Sequence, residues 1–219
     1  MCAPFRRDGR ISMTNDKPAM RYRTIDIVTP VMIAVAFGVI FLGYGALYSL
    51  LKPVASVYLP AEGILAGIWF LPALIAGLIV RKPGAALLAE VLAASIEAAL
   101  GSQWGAGTLI SGLIQALPME LCLLAVAYRK AGPKLAMVAG ALTGIAEGIY
   151  ERISYYPMFR FGDTVVYLIL MVVSGALLGG LLAWGIVRGL AAAGALNPFA
   201  VSRELHGGKR STASARNLS

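Results

Sequence analysis

The sequence predicts an all-α membrane protein: a bundle of six transmembrane helices with both termini in the cytoplasm. Three observations predict it. The 219 residues are 58% hydrophobic and only 14% charged, with a mean hydropathy of +0.76, a balance that soluble domains do not have. The charges crowd into the two tails and a few short loops, leaving apolar stretches long enough to cross roughly 30 Å of hydrocarbon. The Lys and Arg residues also alternate in density along the chain, and six crossings explain that alternation where five or seven would scramble it.

The spans are expected at 26–48, 61–80, 84–100, 105–128, 134–155 and 164–190. The first follows a tail with Arg6, Arg7, Arg10, Lys17, Arg21 and Arg23. Some twenty-five polar residues precede it, so it reads as a span and not as a cleaved leader. Arg81-Lys82-Pro83 alone separates the second span from the third, which predicts a tight basic turn between antiparallel helices. Arg129, Lys130 and Lys134 mark the loop after the fourth span. Arg188, Arg203, Lys209, Arg210 and Arg216 mark the C-terminal end. These four segments hold 16 of the 19 basic residues, and Lys52, Arg152 and Arg160 remain for the opposite side. The imbalance places both termini inside. The chain then divides into a disordered cytoplasmic tail (1–22), a six-helix transmembrane domain (23–195) and a basic cytoplasmic tail (196–219). Topology and anionic membrane lipid account for the basic charge, so no nucleic-acid partner is implied.

The acids carry the functional signal. Glu62, Glu90, Glu97, Glu120, Glu147 and Glu151 all fall in or at the edge of a span, and no Lys or Arg sits deep in a span to neutralise them. A charged side chain inside a bilayer is costly, and by default it marks a functional site. Glu90 and Glu97 are seven residues apart and point the same way from one helix. Thr143, Glu147 and Glu151 share a face of the fifth span, and Thr108, Ser111 and Gln115 make a polar stripe on the fourth. In the predicted topology most of these groups occupy the outer half of the bundle. Tyr44, Tyr48, Tyr58, Trp69, Trp104, Tyr155 and Tyr156 lie near that level, and Gln103 immediately precedes Trp104. Carboxylates with aromatic faces suit an organic cation or an amine-bearing heteroaromatic; an anionic substrate would want the opposite charge.

Plainer readings stand beside these. Glu62, just after Pro60-Ala61, complements a helix N-terminus. Glu90 and Glu120 also read as interhelical hydrogen-bonding groups, and Glu151 as half of a solvated ion pair with Arg152. Tyr and Trp form interfacial belts in many membrane proteins, although Trp69, midway through its span, does not fit one. Gly140, Gly144 and Gly148 in the fifth span, and Gly175, Gly179 and Gly180 in the sixth, are spaced for close helix packing. Ala34 and Gly38 repeat that spacing in the first span, which is the candidate for pairing with another protein.

Several chemistries lack their motifs. There is no phosphate-binding G-x-x-x-x-G-K-[ST], no H-E-x-x-H and no G-x-S-x-G. Asp26 and Asp163 lie at span ends, which argues against an intramembrane aspartyl protease. Cys2 and Cys122 have no metal or disulfide spacing, and the single His206 lies in the tail. No enzyme, no metal and no cofactor is expected of this chain.

The stretches "YRTIDIVTPVMIAVAFGVIF", "RKPGAALLAE", "LGSQWG" and "YYP", in this order and on a six-span layout, resemble the substrate-binding S components of energy-coupling-factor (ECF) vitamin transporters, of the YkoE type. The resemblance runs from about Tyr22 to Phe199. It implies a multi-pass subunit of the bacterial cytoplasmic membrane that captures thiamine or its hydroxymethylpyrimidine precursor outside. It also implies a transmembrane T component and two ATPase subunits as partners, with docking through small residues such as Ala34 and Gly38. The expected ligand residues come from the helix-face reading: Glu97, Glu147 and Glu151 toward the cation or amine, with Glu90 and Glu120 deeper. Trp104, Trp69, Tyr48 and Tyr156 stack on rings, and Gln103 and Gln115 supply hydrogen bonds. The competing reading is a stand-alone proton- or sodium-coupled carrier that uses Glu90 and Glu120 as its ion relay.

Overall fold

The computed structural model describes residues 21–204; Cys2, His206 and most of both expected tails lie outside them. Every regular element among the described residues is helical. Helix α1 (Thr24–Ala55) leads through a break at Tyr58, where the backbone is extended (φ −146°, ψ 91°), into a tightly wound 3₁₀ segment within Ser56–Ile68. Then follow α2 (Leu71–Val80), α3 (Ala85–Ala99), α4 (Gly107–Ala125), α5 (Pro133–Ser154) and α6 (Phe161–Ser174). A π-wound stretch (Gly175–Leu181) continues α6 into α7 (Leu182–Ala192).

Among the described residues four stretches are long and apolar enough to cross a membrane: Thr24–Pro53, Val57–Val80, Gly107–Ala125 and Phe161–Ala192. Helix α3 has 15 residues, which at about 1.5 Å per residue is short of the hydrocarbon thickness. Helix α5 has the length, but its glutamates and glycines lower its hydropathy.

The expected second span is the one that differs most from a plain helix. It is broken at Trp69-Phe70, so a 3₁₀ half and an α half meet in mid-bundle. All ten residues of α2 are buried, which makes it the central element. Helices α1, α3, α4, α5 and the α6–π–α7 run pack around it in that order. A break exposes backbone groups that lipid cannot satisfy, and two side chains take them up. Glu90 Oε2 accepts the Ala73 N–H at 2.8 Å, and Ser174 Oγ accepts the Gly67 N–H at 2.9 Å while donating to the Ile64 carbonyl at 2.6 Å.

The glycine spacing is used inside the bundle. A Cβ on Gly140 would fall on the Gly175 carbonyl, one on Gly144 on the Met171 carbonyl, and one on Gly180 on the Ala136 carbonyl. Backbone thus meets backbone between α5 and the α6–π run. Ala34 and Gly38 are used in the same way. Ala34 is fully buried, and a Cβ on Gly38 would strike the Ile96 side chain of α3. The expected docking pair therefore faces α3 within the chain, because α1 needs small residues to approach that helix.

The end of the bundle that carries the 81–84 turn is tied by charge. Arg81, in the left-handed conformation that ends α2, grips Glu204 with both Nη atoms at 2.6 and 2.9 Å. Lys82 reaches Asp26 at 2.5 Å, and Asp26 also accepts from Arg23. Leu196, Phe199 and Val201 are buried against the core. Residues 196–204 therefore belong to the folded body, whereas the composition had placed them in the basic tail. The fourth helix ends at Ala125, earlier than expected, because Ala127 and Tyr128 take positive φ.

Gly140→Ala is expected to destabilise the protein by about 1–3 kcal/mol, since a backbone carbonyl has to move. Gly185→Ala, where a Cβ meets open space, should be neutral or slightly stabilising. Thermal melting of the two variants in detergent checks the contrast.

Candidate functional site

At the opposite end from the charged ties lies a cavity of roughly 690 Å³, counting the space at its mouth, with Glu62, Ala66, Trp69 and Phe70 of the broken helix in its lining. The floor comes from α3. Glu90 spends one carboxylate oxygen on Ala73, and its second, Oε1, is buried without a partner. Two turns up the same face, Glu97 accepts from Ser102 Oγ at 3.2 Å. Helix α4 adds Thr108, Ser111 and Gln115, and α5 adds Glu147 and Glu151. Ser111 donates to Glu147 Oε1 at 2.5 Å, and Glu147 Oε2 is buried and unpartnered. Tyr167 of α6 donates to Glu151.

Glu62, on the 3₁₀ segment, closes the fourth side. Its Oε2 accepts from both Tyr48 and Tyr156, the latter at 2.7 Å, while Oε1 is buried and free. Burial, with Glu62 close by, pushes the Tyr156 phenol above its ordinary range, so it stays a donor.

Five carboxylates (Glu62, Glu90, Glu97, Glu147 and Glu151) therefore line one cavity, and no Lys or Arg lines it. The ion pairs found among the described residues all involve Arg23, Arg81 or Lys82, at the other end of the bundle. Three of the five acids (Glu62, Glu90 and Glu147) keep a second oxygen that is buried and without a partner. Buried acceptors left open are costly, and a donor-rich cation supplies what they lack. Aromatic rings form the rim. Trp69 has its ring centroid 4.6 Å from Tyr44, 5.7 Å from Tyr48 and 5.2 Å from Trp104. Trp104 itself lies 5.7 Å from Tyr48. Such faces attract cations and stack on flat rings.

The structure brings together nine of the residues singled out in the sequence: Glu90, Glu97, Glu147, Glu151, Gln115, Trp69, Trp104, Tyr48 and Tyr156. Two stand apart. Glu120 caps α3, accepting Ala86 N–H at 2.9 Å and Tyr128 Oη–H at 3.1 Å, because the first amides of α3 have no helical partner. Gln103 lies outside the cavity. It accepts from Ser49 Oγ at 3.0 Å and donates to the Gly45 carbonyl at 3.4 Å, latching to α1 the loop that carries Trp104.

The sequence reading left Glu62 open between the acid cluster and a helix terminus, placed Tyr155 only among the aromatics at that level, and missed Tyr167. Tyr167 had a signal available: it is the one tyrosine within the sixth apolar run.

Comparison with known proteins places the chain. A family model described as "ABC-type cobalt transport system, permease component" matches residues 25–146. A protein of Bacillus subtilis (strain 168), YkoE, which carries the name of an HMP/thiamine permease, is 34% identical over 189 residues, covering 84% of this chain and 92% of that protein. A crystal structure of an S component of an ECF transporter superposes with a TM-score of 0.81 at 33% identity, covering 90% of this chain and 98% of that one.

Gln103→Ala removes the latch and leaves the cavity lining intact. Trp104 emission, isolated by comparison with Trp104→Phe, should move to longer wavelength as the ring gains water. Glu120→Ala leaves the Ala86 N–H and the Tyr128 hydroxyl without their acceptor. It should cost about 1–3 kcal/mol of stability in a melting experiment.

Proposed function

Because the chain belongs to the YkoE-type S components of ECF transporters, multi-pass proteins of the cell membrane, we propose that it captures thiamine or its hydroxymethylpyrimidine precursor at the outer face. It delivers the vitamin inward with a T component and two ATPase subunits. In this reading six helical passes cross the membrane, both termini are cytoplasmic, and the cavity opens outward. The basic residues at the 81–84 turn, the 126–132 loop and the C-terminal end support that orientation.

One observation carries the reading: five carboxylates line a cavity rimmed by Trp69, Trp104 and Tyr48, and three of them keep a buried oxygen without a partner. Thiamine offers a thiazolium cation and an aminopyrimidine. The first suits the carboxylates and ring faces, and the amine hydrogens suit the open acceptors. The matched family is described by cobalt transport, but among the described residues no group of three or more His, Cys, Asp or Glu is arranged to hold a metal ion. The cavity chemistry favours an organic cation.

Calorimetry on the purified chain should detect saturable binding of thiamine or hydroxymethylpyrimidine. Glu97→Ala and Glu147→Gln should each weaken it roughly tenfold or more, the usual cost of losing a hydrogen bond to a charged group. Absence of binding of both compounds would sink the proposal. Uptake that persists without any ATPase partner and collapses with an uncoupler would replace it with an ion-coupled carrier.

A further inference from the structure

We propose that Arg152 is a positioning residue for the cavity: its guanidinium shapes the 155–160 loop so that the Tyr156 hydroxyl rests on Glu62 Oε2 and fixes that carboxylate in the cavity lining. The proposal rests on the reading of the cavity as a vitamin site.

Arg152 lies in the last turn of α5, next to Glu151 in sequence. The two do not pair. Glu151 accepts from Tyr167, and among the described residues no carboxylate forms an ion pair with Arg152. The guanidinium, half-buried, spends its donors on neutral acceptors. Nη1 donates to the Tyr156 carbonyl at 2.9 Å, Nη2 to the Phe159 carbonyl at 2.7 Å, and Nε to Thr164 Oγ1 at 2.9 Å. A planar fork can hold three acceptors at fixed angles, which an ammonium cannot do.

The two carbonyls belong to a matched pair. The Tyr156 and Phe159 rings stack at 4.8 Å and 15°. Arg152 grips the backbone of both partners and ties them to α6 through Thr164. Backbone bonds reinforce the turn: Tyr155 and Tyr156 N–H both reach the Glu151 carbonyl, and Phe159 N–H reaches the Tyr156 carbonyl. The Tyr156 carbonyl thus accepts from Phe159 and from Arg152 at once. At the far end of the same residue, the hydroxyl meets Glu62 Oε2. A guanidinium that is partly desolvated without a counter-charge is costly. Three directed bonds into one loop account for its placement, where a solvated surface charge would not need them.

The test uses the full chain in detergent, with Arg152→Gln and Arg152→Lys. In ligand-free protein, amide hydrogen exchange over 155–160 should quicken on the order of tenfold in both variants, while α2 is unchanged. Thiamine affinity should fall roughly tenfold. In a Tyr156→Phe background, Arg152→Gln should change affinity less than about twofold, because the path to Glu62 is already cut. Unchanged exchange over 155–160, or an affinity loss of equal size in both backgrounds, would overturn the proposal. Should Arg152→Gln not fold, Thr164→Val removes the Nε partner, together with one of the two hydrogen bonds on the Arg160 carbonyl, and is read by the same exchange over 155–159. A wild-type chain that binds neither vitamin overturns the functional reading alone, and ligand-free exchange still decides whether Arg152 shapes the loop.

Discussion

The break at Trp69-Phe70 is the feature on which the rest of the structure depends. A straight second helix would satisfy its own backbone and fill the centre of the bundle. The broken one opens space but frees backbone groups where no lipid can bond them. Glu90 and Ser174 answer that demand from two directions. Ser174 immediately precedes the π-wound stretch, and Glu90 lies on the cavity floor. The repair of the backbone and the construction of the cavity are therefore one arrangement.

A carboxylate suits this double duty because it has two oxygens. Glu90, Glu62 and Glu147 each commit one oxygen to a protein donor and leave the other buried in the cavity lining. A hydroxyl or amide in the same place would supply fewer acceptors, and a basic residue would repel the ligand proposed here. On the function proposed here, binding and structural roles are not alternatives at these positions. The first oxygen fixes the orientation of the second, the preorganisation that a binding site requires.

The two ends of the bundle are built differently. One is locked by ion pairs, with Arg81 on Glu204 and Lys82 on Asp26. The other is held by hydrogen bonds without ion pairs among the described residues: Gln103 on Ser49 and Gly45, Arg152 on carbonyls, tyrosines on glutamates. The ion-paired basic residues Arg23, Arg81 and Lys82 sit at the far end, and none of them lines the cavity.

The helical class, the membrane setting and the acid-rich cavity were legible in the sequence, because they follow from local quantities. Run length, charge distribution and the 3.6-residue period put Glu90 with Glu97, and Glu147 with Glu151, without reference to any other helix. The roles of Glu120, Gln103 and Glu62 were not legible. Glu120 and Glu90 look alike as deep acids on apolar helices, yet one caps α3 and the other lines the cavity. Which of them does which depends on where the start of a neighbouring helix falls. The direction of Arg152, away from Glu151 and into the loop, and the use of Gly38 against Ile96, depend likewise on which helices become neighbours. Periodicity assigns a side chain to a face of its own helix. The partner opposite that face exists only once the bundle has closed, so only the tertiary structure decides it.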